Sequence, residues 1–282
     1  MDVCKSIDEI REAVQSLKSQ GKKIGFVPTM GALHEGHLSL IKQAKEKADE
    51  VVVSIFVNPE QFGPNEDFES YPRELEEDLK KCEDEGVSVV FAPNRDDVYD
   101  KKKYLRIEVD ELNRHMCGGS RTGFFEGILL IVNKLFNIVS PDVAVFGQKD
   151  IQQFQIISRM VHEFNHDIEL IMAPIERAND GLALSSRNKY LSAGEREIAP
   201  GLYRALSYVE KQILNGVDNP SLLLEHQKSE LEAKGFKIDY LGVFDKKTLQ
   251  PTETLSEDGE YILAGAVWLG KTRLIDNFLI EL

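Results

Sequence analysis

His34 and His37 stand three positions apart in PTMGALHEGHLSLI, residues 28–41. A strand is expected to end at Pro28 and Thr29, a glycine loop to follow, and a helix to begin near Gly36 or His37. Unpaired backbone N–H groups at such a helix start carry about half a positive charge and suit a phosphate. Two imidazoles beside them add donors to meet charge that grows on phosphate oxygens in a transition state. A lone loop histidine would read as a cap or a solvated side chain. The His-x-Gly-His spacing after Thr-Met-Gly points to chemistry instead.

Three further segments offer matching groups. FGQKD, residues 146–150, brings Lys149 as a point cation, Gly147 for close backbone approach and Asp150 as a cap for the next helix. NDGLALSSRN, residues 179–188, brings an Asp-Gly turn and then Ser185, Ser186 and Arg187. Two hydroxyls and a guanidinium suit phosphate, on a loop able to close over a nucleotide. Taken singly, either segment reads more readily as a polar turn or linker. SIFVNPEQFGP, residues 54–64, puts Gln61 beyond a strand stopped at Asn58–Pro59, and Gln153 follows Lys149 by four residues. Neutral amides hold carboxylates and hydroxyls without a fixed charge, although a surface glutamine looks the same in sequence.

The elements that must position these groups alternate. Strand-like apolar runs fall at 24–29, 51–57, 87–92, 143–146 and 169–173. Helical patterns fall at 38–48, 74–85, 127–137 and 151–164, and the charged N-terminus, MDVCKSIDEIREAVQ, is also helical in pattern. Strands without polar alternation, separated by helices, predict a doubly wound parallel sheet of the α/β class. Ligands then bind beyond the carboxyl ends of the strands, so the loops after Val27, Val57 and Phe146 carry the information. Beyond about residue 175 the pattern becomes α+β, with helices at 195–214 and 220–234 and short strands at 238–244, 261–268 and 273–280. The expected domains are therefore 1–175 and 176–282.

Composition narrows the function classes. The 282 residues include 48 acids against 34 bases, a formal charge of −14. That balance disfavours a surface gripping a long polyanion, because nucleic-acid binding needs clustered cations. Cys4, Cys82 and Cys117 form no CxxC and no zinc spacing, and an odd thiol count fits a reducing compartment. Cys82 follows Leu75 and Leu79 at helical spacing and reads as core. No apolar leader and no run of 18 apolar residues occurs, so a cytoplasmic chain with no membrane span is expected. Glu76, Glu77 and Asp78 read as a solvated helix face rather than a metal site, and His115, His162, His166 and His226 lack a metal-ligand pattern. No G-x-S-x-G nucleophile motif appears.

Together PTMGALHEGH, VSIFVNPEQFGPNEDFESYPR, KLFNIVSPDVAVFGQKDIQQ and DGLALSSRNKYLS, in that order, resemble the pantoate–β-alanine ligase family, also called pantothenate synthetases. The resemblance implies a Rossmann-like nucleotidyltransferase domain with a smaller C-terminal α+β domain closing over the active site, in a homodimer. It implies ATP contacts at Met30, Gly31, Ala32, Leu33, His34, Glu35, Gly36, His37, Gly147, Gln148, Lys149, Asp150, Glu176, Leu184, Ser185, Ser186 and Arg187. It further implies catalytic roles for His37, His34 and Lys149, and pantoate or β-alanine contacts at Gln61 and Gln153. ATP is the implied co-substrate, with Mg²⁺ held mainly by its phosphates, and no metal ligand in the protein is assigned.

The reaction so implied condenses (R)-pantoate with β-alanine through a pantoyl adenylate, releasing AMP and pyrophosphate. Both nucleophiles then belong to the substrates, which accounts for the missing serine or cysteine motif. The alternatives are a nucleotide-regulated binding protein on the same fold and a relative of the aminoacyl-tRNA synthetases. Two positions depart from the family pattern. Phe124 stands where a histidine is common and has no proton to give, and Leu184 replaces a methionine of similar volume.

Overall fold

Solid apolar runs make a sheet that is buried on both faces. The computed structural model describes residues 1–64, 66–102 and 104–282. Its larger sheet comprises β1 (Asp2–Cys4), β2 (Ile24–Thr29), β3 (Glu50–Ile55), β4 (Val89–Phe91), β5 (Val143–Gly147) and β6 (Glu169–Ala173). The spatial order is β1-β4-β3-β2-β5-β6, and all the pairings are parallel. Helices α1 (Ile7–Ser19), α2 (Glu35–Lys47), α3 (Leu75–Asp84), α4 (Arg95–Val98), α5 (Met116–Ser120), α6 (Phe124–Val139) and α7 (Ile151–Glu163) lie between and after these strands.

Successive side chains of a strand point to opposite faces. Val27 of β2 accordingly joins Leu40, Ile41 and Ala44 of α2 and Cys82 of α3 in one core, as the thiol's spacing predicted. Phe26 points the other way and meets Phe136 of α6 edge-on, with ring centres 6.4 Å apart. From β2 the chain winds outward to β3 and β4, and from β5 it winds the other way to β6. The crevice beyond the carboxyl ends of β2 and β5 is thus the topological switch point where ligands bind in such sheets. Beyond β2 come His34, at the N-cap of α2, and His37 in its first turn, while Gly147 ends β5 and Gln148 opens the turn after it.

The second sheet is antiparallel, in the order β7 (Phe236–Asp245), β8 (Glu260–Leu269), β9 (Thr272–Glu281). It is accompanied by α8 (Ala193–Ile198), α9 (Gly201–Leu214) and α10 (Ser221–Ala233). Leu202, Leu206, Val209 and Ile213 line one face of α9 and pack with Leu263, Val267, Leu274 and Ile280 of the sheet. Two elements differ from expectation. The single helix expected over 195–214 is two, α8 and α9, because Pro200 lacks an N–H and sits at the break. The N-terminus begins with β1 on the edge of the large sheet, and α1 starts only where Ser6 and Glu9 form a capping box.

The chain divides into two compact units. The first is Met1–Val109, Thr122–Gln148 and Ile156–Pro174, and the second is Asp110–Arg121, Lys149–Gln155 and Ile175–Leu282. Among the described residues no helix is long and apolar enough to cross a membrane.

Candidate functional site

In the first unit, the glycine loop after β2 is held by groups far from it in sequence. Thr29 Oγ1 donates to the Ser54 carbonyl at 2.7 Å and accepts from the Gly31 N–H at 3.2 Å. Gly31 lies at φ +78°, and a Cβ there would come within 2.8 Å of Asp78 Oδ2, so both the turn and the close approach require glycine. Asp78 Oδ2 accepts from the Ala32 N–H at 2.8 Å, and its Oδ1 from the Leu33 N–H at 2.7 Å. One helical turn on, Lys81 Nζ donates to the Leu33 carbonyl at 2.8 Å. Ala32 sits at φ +52°, a left-handed conformation costly for a residue with a Cβ, and the Asp78 bonds hold it there.

The two histidines cap the helix that follows. His34 is the N-cap of α2, and its Nδ1 accepts from the Gly36 N–H at 3.1 Å. His37 Nδ1 accepts from the His34 N–H at 3.3 Å, completing a capping box made of imidazoles. A neutral imidazole whose Nδ1 accepts carries its proton on Nε2. The ring centres are 4.1 Å apart, so the paired rings set both Nε2–H groups in fixed relation. The capping bonds engage Nδ1 of each ring and leave Nε2 outside the cap. Glu35, in the first turn of α2, is exposed.

Gln61 closes a short 3-10 turn, Pro59–Gln61, after β3. Buried Asn58 Nδ2 donates to Gln61 Oε1 at 2.9 Å and to the Gly127 carbonyl at 3.1 Å. Asn58 Oδ1 accepts from Tyr99 Oη at 2.9 Å, and burial raises the Tyr99 pKa, keeping that proton in place. With its oxygen engaged, the Gln61 amide turns Nε2 toward Met30 Sδ at 3.1 Å. Gly127 of α6 permits this packing, because a Cβ there would lie 2.0 Å from the Glu60 carbonyl oxygen.

In the second unit, Lys149 lies on the 3-10 turn Gln148–Asp150 that leads into α7, and half-buried Gln153 lies in the first turn of that helix. Residues 176–184 form a small hairpin rather than a free linker. Arg177 bridges Ala183, and the Leu184 N–H donates to the Glu176 carbonyl at 2.9 Å. Arg177 also donates to the Gly181 carbonyl at 3.0 Å and makes a two-pronged pair with Asp276 at 2.6 and 2.8 Å. The Tyr203 ring stacks beneath its guanidinium. Ser185 Oγ caps the next turn through the Arg187 N–H at 3.3 Å. Lys149, Ser185, Asn188, Arg273 and Asp276 line one pocket of this unit, and the buried Asn188 Oδ1 has no hydrogen-bond partner among the described residues. Glu176 and Asp150 are exposed, and Leu184 and Arg187 are half-buried.

The expected residues thus fall into two groups. Met30 to His37, Gln61, Gly147 and Gln148 belong to the first unit, and Lys149, Asp150, Gln153, Glu176 and Leu184 to Arg187 to the second. One reading is corrected: Asp78 is not on a solvated helix face but 1% exposed, holding the glycine loop. Its position one turn before Cys82, on the face already read as core, was the available signal. Arg177 and Asp276 were also missed, and nothing local in the sequence marks them. Among the described residues no cluster of three or more His, Cys, Asp or Glu side chains could hold a metal ion.

Known proteins place this geometry in context. A family model described as pantoate-beta-alanine ligase matches residues 2–279. A pantothenate synthetase from Thermotoga petrophila is 47% identical over 281 residues, covering 99% of this chain and 100% of its own. One from Pseudomonas fluorescens is 46% identical over 284 residues, with coverage of 100% and 99%. The crystal structure of a pantothenate synthetase from Thermus thermophilus superposes with a TM-score of 0.91 at 38% identity, covering 99% of each chain. A Francisella tularensis pantoate-beta-alanine ligase complexed with beta-gamma ATP and beta-alanine gives 0.82 at 39% identity, with coverage of 99% and 97%.

Proposed function

Because the chain belongs to the pantoate–β-alanine ligase family, we propose that it joins (R)-pantoate to β-alanine through a pantoyl adenylate, converting ATP to AMP and pyrophosphate. The pantoate carboxylate attacks the α-phosphorus and pyrophosphate leaves. The β-alanine amine then attacks the activated carbonyl, and AMP leaves as the amide forms. The protein's contribution is positioning and charge stabilisation. The observation that supports this reading is the imidazole capping box, which seats two histidines at a helix start next to the switch point of the sheet.

In this mechanism His34 and His37 donate to phosphate oxygens as pyrophosphate departs, and Lys149 adds a cation. The turn at Gly147 to Asp150, together with Glu176 and Leu184 to Arg187, supplies further ATP contacts. Gln61 and Gln153 hold pantoate, with Gln61 also near β-alanine. The Francisella relative complexed with ATP and β-alanine supports both as ligands. Mg²⁺ bound with the polyphosphate would neutralise phosphate charge and would be held mainly by phosphate oxygens and water. The family resemblance supports a cytoplasmic homodimer.

The test uses pantoate whose carboxylate carries heavy oxygen. In the adenylate route the C–O–P bridge breaks at carbon, so AMP gains a labelled oxygen. Pyrophosphate–ATP exchange with pantoate, before β-alanine is added, is the companion result. Unlabelled AMP, or ADP as the nucleotide product, overturns the adenylate.

A further inference from the structure

Strand β9 carries two adjacent buried polar residues, Asp276 and Asn277, at 4% and 2% exposure, between the apolar core positions Leu274 and Ile280. Burying a polar side chain is costly unless its hydrogen bonds are met, so each needs a partner that repays its place. Asp276 has Arg177, which in turn holds the Gly181 carbonyl of the hairpin. Asn277 Nδ2 donates to the main-chain carbonyl of Lys149 at 3.1 Å, across 128 positions of sequence. Adjacent strand residues face opposite ways, so the two side chains serve different segments.

We propose that Asn277 is a positioning residue for Lys149, fixing the backbone from which the ammonium reaches the phosphates of ATP. This rests on the role of Lys149 given under the proposed function. A lysine side chain has four rotatable carbons and cannot aim itself, so the placement of its backbone decides where its charge arrives. The Lys149 turn is three residues of 3-10 geometry at the start of α7, where main-chain groups lack the full set of helix bonds. The Asn277 amide ties that turn to a ten-residue strand paired along its whole length with β8. The Asn277 N–H is itself engaged with Asp276 Oδ1 at 2.8 Å, which fixes the backbone that carries the amide.

The test compares Asn277→Ala, Lys149→Ala and the double variant, reading kcat and the KM for ATP separately, with thermal melting as the fold control. A misplacement of about 1 Å can cost on the order of 100-fold. The expected result is a fall of roughly 10- to 100-fold in kcat/KM for ATP from Asn277→Ala, and less than about 3-fold when Lys149 is already alanine. Asn277→His, whose ring Nδ1–H can take the place of the amide donor, should recover part of the loss. If Asn277→Ala does not fold, the same cycle is run with Asn277→Ser. Normal turnover by the Asn277 variant while Lys149→Ala is impaired overturns the inference, as does an unchanged loss in the double variant. Normal turnover by Lys149→Ala overturns the role of Lys149 itself, and so is told apart.

Discussion

The loop after β2 and the hairpin of residues 176–184 both carry groups proposed to meet ATP, and both are tied down by a buried carboxylate. The carboxylates work differently. Asp78 accepts two backbone N–H groups, so its charge is met by dipoles and it fixes main chain directly. Asp276 pairs with a guanidinium, and fixes main chain only through Arg177 and the Gly181 carbonyl. The first loop thus has its support in direct contact and its proposed donors close in sequence. The second is assembled from segments around 149, 177, 185 and 276 that share no local pattern. A motif can be read where one stretch of chain holds both donors and turn, and is lost where the same work is divided over distant strands.

The largest effect expected separates the two carboxylates. Asp276→Ala leaves the Arg177 guanidinium, 20% exposed, without its partner, and breaking a buried pair of this kind costs about 3–5 kcal/mol. Urea denaturation should show it, and a loss under about 1 kcal/mol would mean that the pair acts as a surface one does. Next come the proposed donors. His34→Ala, His37→Ala and Lys149→Ala should each lose on the order of 10²–10³ in kcat, or about 2.7–4 kcal/mol, with the fold retained. A loss confined to the histidines would break the equivalence of the two regions.

Asp78→Asn should cost about 1–3 kcal/mol, because its NH₂ then faces a backbone N–H that the carboxylate accepted. Its pH dependence is the sharper measurement. Burial raises the Asp78 pKa, with the Leu33 and Ala32 N–H groups opposing the rise. A carboxyl whose pKa is raised on folding contributes stability below its unfolded value of about 3.9, and loses it as pH climbs through the folded value. Replacing Asp78 should remove that decline from stability curves collected upward from about pH 4, and an unchanged slope would assign the decline to other groups. Smallest is Phe124→His, at the first position of α6, where a helix start disfavours a charged imidazole. Its rate should stay within about tenfold, or about 1.4 kcal/mol, in steady-state assays. A change of several hundredfold would add this position to the chemistry.

The parallel sheet was legible because apolar runs such as Val51 to Val53, buried on both sides, leave no polar alternation to confuse them. The strand β1 was not, since three residues on an edge are too few for a period to show. The break between α8 and α9 was hidden because one amphipathic stripe continues past Pro200. At the candidate site, the spacing of His34 and His37 is visible in one short stretch, whereas Asp78 and Asn277 act on N–H and carbonyl groups 45 and 128 positions away. No window of sequence contains both ends of such a bond.

The division of the chain into two units has a consequence for how the gene can be cut. The polypeptide passes between them at 109/110, 121/122, 148/149, 155/156 and 174/175. A fragment ending at residue 174 would carry Asp110–Arg121 and Lys149–Gln155 without the strands they belong with. Cys117 would lose Arg273, and the Lys149 carbonyl would lose Asn277. The two halves are therefore not exchangeable cassettes, and a chimera joined at one seam would inherit a mismatched Lys149 turn along with the partner it was meant to borrow.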